Sequence, residues 1–257
     1  MPSIEVLGAY GTKAKGKGTT SILLNKNNIV DAGNIVDTLG LKSIELETVW
    51  LTHSHLDHIA DIAYMVDNGF TLREKSLKIK ALKETISTLQ ENFFNDKIWP
   101  DFSKVHLSNN KPVLLYEEIE CYKEYQLSEK VKLFTFPTDH TVASCGYVYI
   151  ENESAIVITS DTFSLKSART IIDKNQSVKA LLVECSFPNN MESLAKESKH
   201  LTPKLLFEQL NMFQRDDFRL YINHIKPFYE EEILEEIMQN RGKWQVKCIK
   251  DGNFITF

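Results

Sequence analysis

The sequence predicts an α/β protein in which β-sheets carry helices on their outer faces. Three observations lead there. Short apolar or alternating runs recur along all 257 residues. Early runs follow one another directly, whereas later ones alternate with stretches of helical period. No repeat or low-complexity linker interrupts the pattern, so residues 1–257 read as one domain of a length usual for a large α/β unit.

Taken in order, the first strands are read at residues 4–10 ("IEVLGAY"), 20–25 ("TSILLN") and 28–33 ("NIVDAG"), each bounded by turn residues. "TVWLT" (48–52) is nearly continuously apolar, as a buried strand requires. Ile59, Ile62, Ala63 and Val66 then recur at helical spacing and predict a helix over 57–68, with Gly69 as its stop. A strand at 77–82 and a helix at 83–94 follow. Later strands are read at 131–136, 146–150, 155–160, 180–187 and in "RLYIN" (219–223). The helices between them cover 165–173, 202–213 and 229–240. Thr202 is a good cap for the second of these, with Pro203 at the first helical position. The terminal "WQVKCIKDGNFITF" reads as a hairpin turning at Asp251-Gly252.

Composition narrows the function. A net charge of −5 argues against a broad basic face for nucleic acid. An anionic substrate is still compatible, because bound metal ions supply local positive charge. The four cysteines, Cys121, Cys145, Cys185 and Cys248, form no C-x-x-C pair and sit in or beside apolar runs. They read as buried thiols in a reducing compartment. The N-terminus turns polar too early for a signal segment, and no apolar stretch is long enough to span a bilayer. A cytoplasmic protein with no membrane partner is the expectation.

The chemistry is concentrated in "HSHLDH". His53 and His55 lie two apart just past a strand, so on an extended backbone both imidazoles point to one side. Asp57 and His58 then open the helix, where a carboxylate is favoured. Four donors in six residues exceed the reach of one four-coordinate ion. Two ions side by side fit better, with His53 and His55 on one and Asp57 and His58 on the other. Imidazole and carboxylate suit zinc first, and also manganese or iron. His140, Asp161 and His224 each follow an apolar run, as His53 does, and are the candidates for the remaining donors. His106 lacks that placement and reads as a surface residue.

These residues, with "DAG" (31–33) and "SDT" (160–162), resemble the metallo-β-lactamase superfamily along nearly the whole chain. The resemblance implies a four-layer αββα sandwich and a binuclear centre. His53, His55 and His140 would hold the first ion, and Asp57, His58 and His224 the second. Asp161 would bridge the two. A narrower resemblance lies in "ALKETISTLQENFFNDKIWPDFSKV" (81–105), which is similar to the class II cyclic-nucleotide phosphodiesterases, as are "VECSFPN", "KHLTP" and "HIKP". It implies hydrolysis of 3′,5′-cyclic nucleotides, cAMP or cGMP, to 5′-nucleotides.

On that reading, a hydroxide shared by two ions attacks phosphorus in line with the leaving 3′-oxygen. Asp57 and His200 are the residues expected to carry catalysis, His200 by giving the leaving oxygen its proton. The plain alternative for His200 is a surface histidine preceding a helix. Asp31 and Glu184 are candidates to orient ligand imidazoles. Phe94, Trp99, Phe102 and Phe187 are candidates for an apolar slot holding a purine. Lys13, Lys15 and Lys17 would steer an anion or simply solvate a turn. Alternatives with the same donors are a tRNA 3′-processing endonuclease, a lactonase or a thioesterase. A binding protein that keeps the fold without catalysis is a further class. The oligomeric state stays open, a homodimer included.

Overall fold

The computed structural model describes residues 1–257. Strands β1 (Ser3–Gly8), β2 (Ser21–Asn25) and β3 (Asn28–Val30) run antiparallel. After the one-turn helix α1 (Val36–Leu39) the chain adds strands in parallel. These are β4 (Thr48–Trp50), β5 (Leu77–Ala81) and β6 (Leu114–Glu118), connected through helices α2 (Leu56–Gly69) and α3 (Lys83–Asn92).

The second half repeats this plan. Strands β7 (Glu124–Ser128), β8 (Val131–Pro137), β9 (Cys145–Glu151) and β10 (Ser154–Ile158) are antiparallel. Helix α4 (Lys166–Lys174) leads to β11 (Val178–Glu184), and α5 (Glu192–Glu197) and α6 (Pro203–Leu210) lead to β12 (Arg219–Asn223). Helix α7 (Glu230–Asn240) leads to β13 (Val246–Cys248), and β14 (Asn253–Thr256) ends the chain. The strand orders are β14-β1-β2-β3-β4-β5-β6 and β13-β12-β11-β10-β9-β8-β7.

Three apolar layers hold these elements together, which is the expected αββα sandwich. Between the sheets, Val6, Ile22, Val30 and Trp50 meet Leu133, Tyr147, Ile156 and Leu182. On one outer face Ile59, Ile62 and Val66 of α2, with Ile86 and Leu89 of α3, pack on Val49 and Ile79. On the other, Ile172, Phe207, Ile233 and Ile237 pack on Val157, Leu181 and Leu220. Strand period explains why "TVWLT" is apolar throughout. Val49 and Leu51 face the helices while Trp50 faces the opposite sheet. Thr202 caps α6, its Oγ1 accepting from Leu205 N at 3.4 Å, with Pro203 following.

Some expectations are corrected. The terminal segment is not a hairpin. β13 pairs with β12 in the second sheet, and β14 crosses over to pair with β1 in the first. The turn at Asp251-Gly252 is real, with Gly252 at φ 76°. Its direction is set by the Asp251 carboxylate, which accepts from Ala9 N (2.8 Å) and Gly18 N (2.6 Å) on the first-sheet side. Gly69, by contrast, is the stop expected of it. It is the last residue of α2, and a Cβ there would lie 2.8 Å from Ile44 Cγ2. The sequence pattern missed β6 and β7, because edge strands carry charged, half-exposed residues rather than an apolar run. No helix is long and apolar enough to cross a membrane. All four cysteines are unpaired.

Candidate metal centre

Six of the seven histidines gather at one edge of the sandwich, beyond the ends of β3, β4, β8, β10, β11 and β12, and His106 stays exposed elsewhere. The backbone is forced there into unusual shapes. Asp31, Ser160 and His224 all have φ between 57° and 58°, a left-handed conformation that side chains other than glycine adopt rarely. His55, just before α2, is extended at φ −67° and ψ 149°. The backbone there is therefore extended, as the two-residue spacing of His53 and His55 requires, and their rings stand 4.6 Å apart.

Asp161 is the focus. Its Oδ2 lies 3.4 Å from His58 Nε2, 3.7 Å from His53 Nε2, 3.9 Å from His140 Nε2 and 4.0 Å from His200 Nε2. Its Oδ1 lies 3.2 Å from His224 Nε2. Two groups of donors converge on it. His53, His55, His140 and Asp161 form one, and Asp57, His58, Asp161 and His224 the other. A third grouping, Glu184, His200 and His224, adjoins them.

This donor set fits divalent ions. Imidazole nitrogens face each other at 3.1 Å (His55 Nδ1 to His140 Nε2) and 3.3 Å (His58 Nε2 to His224 Nε2). The buried His53 Nε2 and Asp161 Oδ1 have no hydrogen-bond partner, which is rare for buried polar atoms unless an ion or water serves them. The far nitrogens are spoken for: His58 Nδ1 by Asp31 Oδ2 (2.7 Å), His224 Nδ1 by Ser186 Oγ (2.9 Å) and His53 Nδ1 by Thr52 Oγ1 (3.0 Å). That arrangement aims the Nε2 atoms inward.

Charge follows the same plan. Burial and the adjacent His58 push His53 well below the ordinary histidine value, and burial lowers His140 to about 4. Burial would also lower His58, but Asp161, Asp31 and Asp57 outweigh it and hold that pKa well above the usual value. Asp161 resists the upward push of burial because His224 and His58 hold it well below the carboxylate range. His200 is raised too, Glu184 and Asp161 overcoming burial.

The remaining expectations divide. Asp31 serves the backbone and the centre at once. It makes the left-handed turn after β3 and binds His58, while Thr52 N donates to its Oδ1 at 2.9 Å. Glu184 takes His200 Nδ1 at 2.8 Å, so His200 is a buried member of the centre rather than a surface histidine. Phe187 lies beside it, ring centres 5.8 Å apart. Phe94 (1% exposed) and Phe102 (3%) are instead packed into the outer core under α2 and α3, which corrects their expected place in a purine slot. Trp99 is half-buried against Tyr64. Lys13 pairs with Asp37 at 3.1 Å, Lys17 pairs with Glu230, and Lys15 is exposed.

Sequence reasoning missed Ser186, whose Oγ joins His224, Glu184 and His200. A serine inside "VECSFPN" carries no signal of that role by itself. Gly11 was also missed. A Cβ there would sit 2.6 Å from His224 Nδ1, so only glycine lets the loop after β1 close on the centre.

Fold and donor set together define a metallo-β-lactamase fold protein. The chain superposes on unliganded yeast PDE1 with a TM-score of 0.81 at 17% identity, covering 98% of each chain. For YhfI of Bacillus subtilis the TM-score is 0.74 at 18% identity, covering 99% of each. For the short form of human tRNase Z it is 0.68 at 16% identity, covering 99% of this chain and 98% of that one.

The family model for cAMP phosphodiesterases class-II matches residues 19–231, and the chain belongs to that family. Among curated relatives, a ribonuclease Z of Sulfurisphaera tokodaii is 27% identical over 161 residues, 60% of this chain and 50% of the relative. A probable 3′,5′-cyclic-nucleotide phosphodiesterase of Yersinia pestis is 20% identical over 221 residues, 76% of this chain and 63% of the relative. A 3′,5′-cyclic-nucleotide phosphodiesterase of Schizosaccharomyces pombe is 21% identical over 214 residues, 76% and 59% respectively. The chain thus spans between 50% and 63% of the length of these relatives.

Proposed function

We propose that the protein is a metal-dependent phosphodiesterase that hydrolyses 3′,5′-cyclic nucleotides, cAMP or cGMP, to 5′-nucleotides. The observation that carries this reading is the sharing of Asp161 between two donor groups, which suits two adjacent ions. Membership of the cAMP phosphodiesterase family supports the substrate class. His53, His55 and His140 would hold one ion and Asp57, His58 and His224 the other, with Asp161 between them. Zinc suits these ligands best, ahead of manganese or iron. When bound, the ions neutralise phosphate charge and lower the pKa of a water.

The chain's own groups do the rest. His200 Nδ1 is held by Glu184 Oε1, which turns Nε2 toward the Asp161 carboxylate at 4.0 Å. From there His200 protonates the leaving 3′-oxygen. Glu184 and Ser186 keep its ring in that orientation. Asp57, at the first turn of α2, would help to hold the second ion.

The test is metal analysis of the purified protein with a turnover panel: 3′,5′- and 2′,3′-cyclic nucleotides, a generic phosphodiester, a tRNA precursor, a lactone and a β-lactam. Turnover of cAMP or cGMP is expected. A protein holding two ions that hydrolyses no 3′,5′-cyclic nucleotide overturns the reading. The second reading is tRNA 3′-end processing, favoured by the match to the ribonuclease Z of S. tokodaii. It predicts cleavage of the tRNA precursor in the same panel, and the net charge of −5 counts against it.

A further inference from the structure

A cleft of about 480 Å³ opens beside Asp57, walled by Gly11, Lys13, Leu56, Tyr64 and Lys226. Its size falls in the range that takes small ligands, about 300–1,000 Å³. Leu56, Ala60 and Tyr64 are spaced four apart on α2 and form an apolar stripe on its outward face. Leu56 is 65% exposed and Tyr64 52% exposed. The stripe begins at the neighbour of Asp57, so it runs directly from the metal centre. Lys226 puts a cation at the same cleft. Its Nζ donates to Gly11 O at 3.0 Å and lies 5.3 Å from the Phe187 ring centre.

Tyr64 is held in place from behind. Its ring meets Trp99 edge-on, with centres 5.6 Å apart and planes at 76°. Trp99 is pinned in turn: its N donates to Phe93 O (3.0 Å), and its O accepts from Asn95 N (3.1 Å) and Asp96 N (3.0 Å). The motif from Ile98 to Phe102 contains no donor of the centre, yet it reaches the cleft through Tyr64.

We propose that this cleft is the nucleoside subsite, with Tyr64 as the substrate-binding residue whose ring takes the nucleobase. Leu56 flanks the base, Lys226 meets the phosphate end, and Trp99 is a positioning residue for Tyr64. The proposal rests on the phosphodiesterase reading above. An aromatic ring stacks on any base, and the continuity of the stripe with Asp57 places that base beside the reacting phosphate.

The test compares the wild type with Tyr64→Ala and Trp99→Leu in the metal-loaded protein. Kinetics are measured on cAMP and on ethyl p-nitrophenyl phosphate, a diester without a nucleoside. Binding of 5′-AMP and of ribose 5-phosphate is measured by calorimetry. Tyr64→Ala should raise KM for cAMP about tenfold, with kcat within about twofold, and leave the simple diester unchanged. It should weaken 5′-AMP but not ribose 5-phosphate. Trp99→Leu should do the same more weakly. Equal changes on both substrates, or unchanged 5′-AMP affinity, overturn the subsite while cAMP turnover keeps the phosphodiesterase reading standing. A wild type that cleaves the simple diester but no cyclic nucleotide overturns that reading, and the subsite with it. Tyr64 is half-exposed, so an unchanged melting temperature is expected and checks that the variant folds.

Discussion

The two donor groups that meet at Asp161 are supported differently. In the first, His53 leans on Thr52 Oγ1 at 3.0 Å, which is itself bonded to Asp31 at 2.8 Å, and His140 leans on the Lys199 carbonyl at 3.3 Å. In the second, His58 leans on the Asp31 carboxylate at 2.7 Å, and His224 on Ser186, which is bonded to Glu184 at 2.8 Å. His55 and His140 are half-buried, whereas His58 and His224 are buried. A carboxylate behind an imidazole fixes its tautomer and raises its basicity as a ligand. The comparison teaches that similar residue types at one edge need not grip alike. The Asp57–His58–His224 group should bind its ion more tightly.

The largest effect should come from removing what both groups share. Asp161→Ala is expected to lower cyclic-nucleotide turnover by about 10³-fold or more, the scale of several kcal/mol of charge stabilisation. Elemental analysis should find both ions depleted, and a variant that retains two would break the shared-ligand picture.

His200 belongs to neither group of four, so His200→Ala should separate chemistry from metal binding. A fall in kcat of about 10²–10³-fold is expected with unchanged ion content. The loss should shrink for substrates with a good leaving group. Equal losses for good and poor leaving groups would exclude the proton-donor role.

Asp31→Asn sharpens the contrast itself. It should weaken ion binding by about 10–100-fold at the second group, where Asp31 meets His58 directly, and less at the first, which it reaches through Thr52. Competition titration with a chelator reads this as loss of the two-step release that the wild type should show. The smallest effect is on stability. Full chelation should lower the melting temperature by roughly 10–20 °C, given two ions each present at about 100 times Kd and a chain of this size. No shift on complete removal would mean that the donor groups keep their shape without ions.

Much of the centre is legible in the sequence. Spacing alone puts His53 and His55 on one side of an extended run and Asp57 and His58 at the opening of the next helix. His140, Asp161 and His224 stand out by their common position after apolar runs, because in this fold strand ends collect at one edge. Phe94 and Phe102 mislead for a plain reason: an aromatic residue looks the same in a sequence whether it faces a ligand or a core. Ser186 and Gly11 give no signal, since each acts on His224 from a different strand's loop. The edge strands β6 and β7 are hidden by the charges that protect such edges.

The sequence by itself determined what is local: which runs make strands and helices, where α6 starts, and the type and spacing of the ion donors. Hydrophobic period and ligand chemistry act over a few residues, so one chain segment is enough to read them. Only the tertiary structure decided what depends on distant segments meeting. It sent β13 and β14 to different sheets, put Asp161 between five imidazoles, buried His200 against Glu184, and set Tyr64 on Trp99. Those choices follow from how two seven-stranded sheets close on a common core, a balance of packing that no single stretch of sequence encodes.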